Sequence, residues 1–176
     1  MPAGRGPAFA EPVGTHRASP PDDRRLATPP VSRALRVIDA RWPHVGRRIR
    51  QVAPCTAVAL DSSGPVPTLR AFGLRLASAW DPEGEAAMQS AHLPDACESV
   101  TVFGIGMGYL PQAVSGRLCE GGTLEVVVLN VGLLRVLLDV LEEWAWLDHP
   151  GVVLRLPEEC STLPACWAVR VTGNTA

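Results

Sequence analysis

From Ser99 onward the apolar positions switch back and forth between the strand period and the helix period, and the switches predict a regular series of elements. Val100, Val102 and Phe103 are β-branched or aromatic, which predicts a buried strand over Ser99–Phe103. Gly104, Gly106 and Gly108 follow at every second position and predict a tight turn with φ > 0, open to close approach by another molecule. A helix over Leu110–Leu118 comes next, with Pro111 tolerated in a first turn where its missing N–H costs nothing. A Glu120-Gly121-Gly122 turn, a strand over Thr123–Leu129, a helix over Val131–Trp146 and a strand over Val152–Leu156 complete the series. In the second helix Arg135, Asp139, Glu142 and Glu143 share one stripe and the rest is mostly Leu and Val, as on a helix that covers a sheet. The order β-α-β-α-β predicts an α/β fold with a partial Rossmann-like parallel sheet. After Glu159 the periodicity ends, so Ser161–Ala176 predicts no element and the half sheet keeps an exposed edge through which copies could associate.

Upstream the pattern is weaker and predicts a small α+β segment. Ser32 is placed to cap a helix through Ala40, with Leu35, Val37 and Ile38 mostly on one side. Val52–Leu60 holds a strand-like Thr-Ala-Val-Ala-Leu core, closed by the turn signal Asp61-Ser-Ser-Gly-Pro65, and Thr68–Leu76 is a second, weaker element. Asp81 as N-cap, Pro82 at the first helical position, and Glu83 and Glu85 in the first turn predict a helix to about Leu93, stopped by Pro94. Met1–Pro30 holds seven prolines and almost no β-branched residues, so it is expected to stay disordered. The chain thus divides into a Pro/Arg-rich tail (1–30), the α+β segment (31–95), the Rossmann-like half domain (96–160) and an irregular tail (161–176).

Composition narrows the function classes. At 176 residues and 47% apolar, the chain can bury one ordinary core. A net charge of −2 gives no general attraction to nucleic acid or to an anionic membrane. All sixteen cations are arginine, which excludes a Walker-type phosphate loop and Schiff-base chemistry. The five cysteines show no two-residue spacing and no continuous apolar leader precedes them, so reduced thiols and a cytoplasmic location are expected. The apolar run Leu124–Leu147 is interrupted by Asn130, Arg135, Asp139, Glu142 and Glu143, and predicts a buried strand and helix rather than a membrane span.

Strand, glycine turn and helix together are how nucleotide-binding α/β folds hold phosphate or adenosine groups. The candidate ligand-facing residues are therefore Gly104, Gly106, Gly108 and Tyr109. Adenosine-binding folds end the second strand in Asp or Glu, which bonds both ribose hydroxyls; here that place is taken by Asn130. Asn130 is equally suited to cap the helix that starts at Val131. No catalytic constellation and no metal set stands out: His16, His44, His92 and His149 fall in the tail, at a helix end or in turns, and Glu158 and Glu159 follow the third strand. Trp144 and Trp146 read as core. The Gly-x-Gly-x-Gly run also resembles the first-strand turn of S-adenosylmethionine-dependent methyltransferases, so a small or degenerate methyltransferase is one alternative and a non-enzymatic interaction module is another.

Two blocks together resemble the motility-associated factor proteins, which are flagellin glycosyltransferase-like and related to an archaeal pterin pyrophosphokinase-like domain. Leu76-Ala-Ser-Ala-Trp-Asp-Pro-Glu-Gly-Glu-Ala86 is similar to their "Leu-His-Ser-x-Tyr-Asp-Pro-x-x-Glu-Ala" segment, and Phe103–Tyr109 to their "Phe-Gly-x-Gly-x-Gly-Tyr". Asn130 stands where the family typically has an acidic residue, and Ala77 where it has His. The likeness covers roughly Val31–Glu159 and corresponds to the family's N-terminal region; the larger domain with its "Gly-x-Gly-Pro-Ser-Leu" loop has no counterpart here. It implies a truncated module of flagellin glycosylation with nonulosonic acid sugars, without catalysis of its own. The implied ligand is a nucleotide sugar or another nucleotide-type molecule, and the implied protein partner is flagellin.

Overall fold

The computed structural model describes residues 32–141, 144–161 and 168–171. The expected disordered tail lies outside the described residues.

Two short helices open the chain, α1 (Arg33–Arg41) and α2 (Pro43–Gln51). Ser32 caps α1 as expected: the Leu35 amide donates to its Oγ at 3.2 Å. The break between them falls at Trp42, because a residue before proline is pushed out of helical geometry. The sequence pattern predicts no α2, since only Val45 and Ile49 mark an apolar stripe among arginines; both are buried. Val52 follows α2 directly, so of the expected strand over Val52–Leu60 only the end remains, as β1 (Val58–Asp61).

An antiparallel three-stranded sheet follows in the order β1, β2 (Thr68–Ala71), β3 (Leu74–Arg75). The single element expected over Thr68–Leu76 is a hairpin. Phe72 and Gly73 have φ of 53° and 81°, the primed turn that matches strand twist. Asp61 is buried beneath it and accepts from Arg70 Nε at 2.8 Å and Arg75 Nε at 2.9 Å. Helix α3 (Pro82–Ser90) starts at its expected cap and ends three residues before Leu93.

The main sheet has strand order β6-β5-β4-β7. Strands β4 (Cys97–Phe103), β5 (Leu118–Val127) and β6 (Val152–Arg155) are parallel, joined by α4 (Tyr109–Ser115) and α5 (Val131–Val140). The fold is therefore mixed α/β with a three-stranded parallel sheet and helical connections. β7 (Ala168–Val171) pairs antiparallel along β4, from Phe103↔Ala168 to Val100↔Val171. The expectation of no element over Ser161–Ala176 is thereby corrected, while the sheet keeps β6 as an edge strand. A four-residue strand carries too little periodicity to stand out, and the partner edge of β4 decides its place.

Three further boundaries shift for local reasons. Helix α4 stops at Gly116, so Leu118 joins β5 instead of ending the helix. The Glu120-Gly121-Gly122 turn lies inside β5, where the pairing jumps from Cys97↔Leu118 to Ser99↔Thr123. The helix expected through Trp146 ends at Val140, and a short 3-10 turn, Ala145–Asp148, carries the chain to β6.

One core joins the elements on both sides of residue 95. Ile38, Ile49, Val102, Leu124, Leu137 and Trp146 are all fully buried within it. Arg41 ties α1 to the approach to β6. Its guanidinium donates to the carbonyls of Leu147, His149 (2.8 Å), Pro150 and Val152 (both 3.0 Å) and lies 4.4 Å from the Trp42 ring centroid.

Candidate functional site

The site is built at the carboxyl ends of β4 and β5, where open α/β sheets bind ligands. Strand β4 also marks the change of direction in the sheet: β5 and β6 lie to one side of it and antiparallel β7 to the other. The β4–β5 ladder runs to Phe103↔Val127, and the Gly104 amide extends it by donating to the Val127 carbonyl at 2.9 Å. The chain then turns through Gly104, Gly106 and Gly108 with φ of 89°, 55° and 91°. The alternation of glycine with apolar residues has a direct reason. Ile105 and Met107 are buried and hold the turn down, while the residues between them take backbone angles that side chains resist.

The Leu76–Ala86 block lies against this turn. An ideal Cβ on Gly106 would stand 3.0 Å from the Leu76 carbonyl oxygen. From Leu76 the chain enters a dense cap. The Trp80 and Asp81 amides donate to Ser78 Oγ at 3.2 and 3.1 Å, and the Gly84 amide to Asp81 Oδ1 at 2.8 Å. The Ser78 amide in turn donates to Glu85 Oε2 at 2.6 Å. Ser78, Asp81 and Glu85 thus form a hydrogen-bonded cap on α3, and the spacing of that block is met by internal hydrogen bonding. Trp80 is exposed, and Ala77 and Ala79 are buried.

The structure brings Gly104, Gly106, Gly108 and Tyr109 together at the end of β4, with Tyr109 opening α4 and partly buried against the core. Asn130 lies three residues beyond the end of β5, the neighbouring strand. Of its two open readings, the capping one is realised: the Leu133 amide donates to Asn130 Oδ1 at 2.9 Å. Gly132 behind it permits close approach, since a Cβ there would meet the Ala53 carbonyl oxygen at 2.8 Å.

The sequence reading placed Trp144 and Trp146 in the core, and both are buried, stacked with centroids 5.7 Å apart. It did not reveal where their polar atoms go. An ideal Cβ on Gly108 would lie 3.1 Å from Trp144 Nε1 and 3.2 Å from Trp146 Nε1, and neither nitrogen has a hydrogen-bond partner. The signal available in sequence was the i, i+2 tryptophan pair just before the third strand.

The remaining candidates are engaged elsewhere. Glu158 and Glu159 follow β6 and reach back to α2, Glu158 to Arg48 Nε at 3.7 Å and Glu159 to His44 Nε2 at 3.3 Å. His149 Nδ1 accepts from the Gly151 amide at 3.2 Å. His16 lies outside the described residues. Among the described residues, no group of three His, Cys, Asp or Glu side chains could hold a metal ion. Cys55, Cys97, Cys119 and Cys160 are free thiols, and burial pushes the Cys97 and Cys160 thiols up, away from nucleophilic thiolate. No described helix is long and apolar enough to cross a membrane.

Two hollows lie away from the glycine turn. One, about 50 Å³, sits between α1 and the Trp144–Asp148 stretch. The other, about 600 Å³ and open, lies at the opposite end of the sheet beside Leu118–Thr123 and His149–Gly151. Comparison of the chain with protein-family models, curated proteins and solved structures gives no match.

Proposed function

We propose that this chain is a Rossmann-like binding module for a nucleotide-type ligand, equivalent to the N-terminal region of a motility-associated flagellin glycosyltransferase-like protein and without transfer activity of its own. The observation that carries this reading is the run of three left-handed glycines at the carboxyl end of β4, where the sheet changes direction. A second observation favours the family. The two blocks that carry the resemblance are far apart in sequence yet touch in space, at Gly106 and the Leu76 carbonyl. The preferred ligand is a CMP-activated sugar acid, and flagellin is the protein partner.

Asn130 departs from the acidic residue of both the methyltransferases and the motility-associated family, its side-chain oxygen being committed to the α5 cap, so the choice between the two readings falls to ligand binding. Titration calorimetry with a CMP-activated nonulosonic acid, CMP alone and S-adenosylmethionine tests the reading. The expected result is binding of the two cytidine compounds only. Binding of the methyl donor in their place, or of none of the three, overturns it.

A further inference from the structure

Strand β1 pairs with β2 on one side and lies open on the other. The Phe72 amide donates to the Ala57 carbonyl at 3.0 Å, and the register runs on through Val58↔Ala71 to Asp61↔Thr68. Antiparallel ladders alternate, so Ala59 and Asp61 turn their backbone groups toward β2, while Val58 and Leu60 turn theirs to the free edge. Those two N–H and two C=O groups make no hydrogen bond with any described residue. No described element other than β2 packs broadly against the strand, and Ala59 and Leu60 are exposed, Leu60 at 66%. Natural proteins cover or charge such edges, because they template pairing with another chain. Two other edges of this chain show that protection. At β6, Arg41 Nη2 donates to the Val152 carbonyl at 3.0 Å and Glu159 Oε2 accepts from the Leu156 amide at 2.7 Å. Strand β3 is two residues long, and the one that faces outward is Arg75.

We propose that β1 is the seam of a homodimer, in which it pairs antiparallel with β1 of a second copy across a twofold axis at Ala59. That register sets Val58 of each copy opposite Leu60 of the other as a hydrogen-bonded pair. The Val58 N–H meets the Leu60 carbonyl, the Leu60 N–H meets the Val58 carbonyl, and the twofold repeats both bonds. Every open backbone group of both strands is then used. Sliding the register by two residues either way would set Leu60 or Val58 against chain outside β1. The side chains suit the same register. Ala59 meets its own copy at the closely spaced, non-hydrogen-bonded position, where a small residue fits. Leu60 packs beside Val58 of the second copy, on the face that carries buried Leu69. Charge does not oppose the pairing. Asp61 is the only charged residue of β1, and it is buried, held by Arg70 at 2.8 Å and Arg75 at 2.9 Å. The occupant is a second copy because the strand complements itself in backbone bonds, side-chain size and charge. The seam uses no residue of the glycine turn and so stands apart from the ligand reading.

The test is sedimentation equilibrium of the full chain, up to its solubility limit, beside Leu60→Pro, Ala59→Glu and Leu74→Lys. Proline at position 60 removes an outward N–H and spares the β1–β2 ladder, because that amide does not face β2. Glutamate at position 59 sets two like charges face to face on the twofold axis. Leu74→Lys is the control, since Leu74 is 71% exposed but lies on β3. The expected result is a concentration-dependent dimer in the parent and in Leu74→Lys. Leu60→Pro loses one bond from each copy and weakens the dimer about thirtyfold, with a loss of at least that order in Ala59→Glu. A parent that stays monomeric, or that builds a larger open assembly, overturns the proposal. So does a dimer that Leu60→Pro and Ala59→Glu leave intact, or one that Leu74→Lys abolishes as well. Should a variant not fold, hydrogen exchange in the parent decides. The Val58 and Leu60 amides slow as concentration rises if β1 is the seam, and exchange that is independent of concentration overturns it.

Discussion

Gly106 approaches the carbonyl oxygen of Leu76 so closely that a methyl group on the glycine would stand 3.0 Å from it. The contact joins the turn after β4 to the strand of chain that leads into α3, and it makes the glycine run a packing feature as well as a conformational one. A loss of ligand binding in a glycine variant therefore has two origins, and stability must be measured beside it.

Gly106→Ala meets a φ of 55°, within reach of an L-residue, and a carbonyl that must yield a few tenths of an ångström. The expected loss is about 1–2 kcal/mol. Gly108→Ala combines a φ of 91° with a methyl pressed against two buried indoles, and the expected loss is larger, about 2–4 kcal/mol. Urea denaturation of the two variants gives the order; the reverse order would mean that the indoles move aside more easily than the Leu76 backbone.

Asn130→Ala removes the acceptor of the Leu133 amide and is expected to cost about 1 kcal/mol, whereas Asn130→Asp keeps the cap. Ligand affinity measured by calorimetry at saturating folded fraction should be unchanged in Asn130→Ala. A large loss of affinity at intact stability would return Asn130 to the ribose-binding role.

Arg41 spreads one guanidinium over four carbonyls of the Leu147–Val152 stretch. A lysine cannot reproduce that fork. Arg41→Lys is expected to lose about 2 kcal/mol, a moderate figure because the side chain is only half-buried. Hydrogen exchange should show the loosening first at the 3-10 turn that carries Trp146 and Leu147, ahead of the β4–β5 ladder.

The Asp61 carboxyl is held well below its ordinary value of 3.8 by hydrogen bonds from the Ser63 hydroxyl, Arg70, the Ser63 amide and Arg75, against a smaller opposing effect of burial. A lowered folded-state pKa means the unfolded chain takes up the proton first. The stabilisation is therefore complete above the ordinary carboxylate range and drains away as pH falls through 3.8 toward the lower folded value. Thermal melts of the parent and Asp61→Asn should differ at neutral pH and converge toward about pH 2. A constant gap across that range would show that the ion cluster does not set the difference.

Elements with a dense local signature were legible in the residue order. Ser32, Asp81 and Asn130 each cap the helix they were expected to cap, because an N-cap needs only a short polar side chain and the amides two or three residues on. The strand over Val100–Phe103, the glycine turn and β6 follow for similar reasons, whereas the change of sheet direction beside β4 depends on β7, which the residue order did not announce. Where local sequence was weak, neighbours decided. The helix after Trp42 carries only Val45 and Ile49 as an apolar stripe, and Ala168–Val171 becomes a strand through the edge that β4 offers it. The meeting of Leu76 with Gly106, and of two indole nitrogens with Gly108, joins residues some 30 to 40 positions apart. No periodicity encodes such contacts; they arise when one continuous core draws α1, α2 and the Trp144–Leu147 stretch around a parallel sheet.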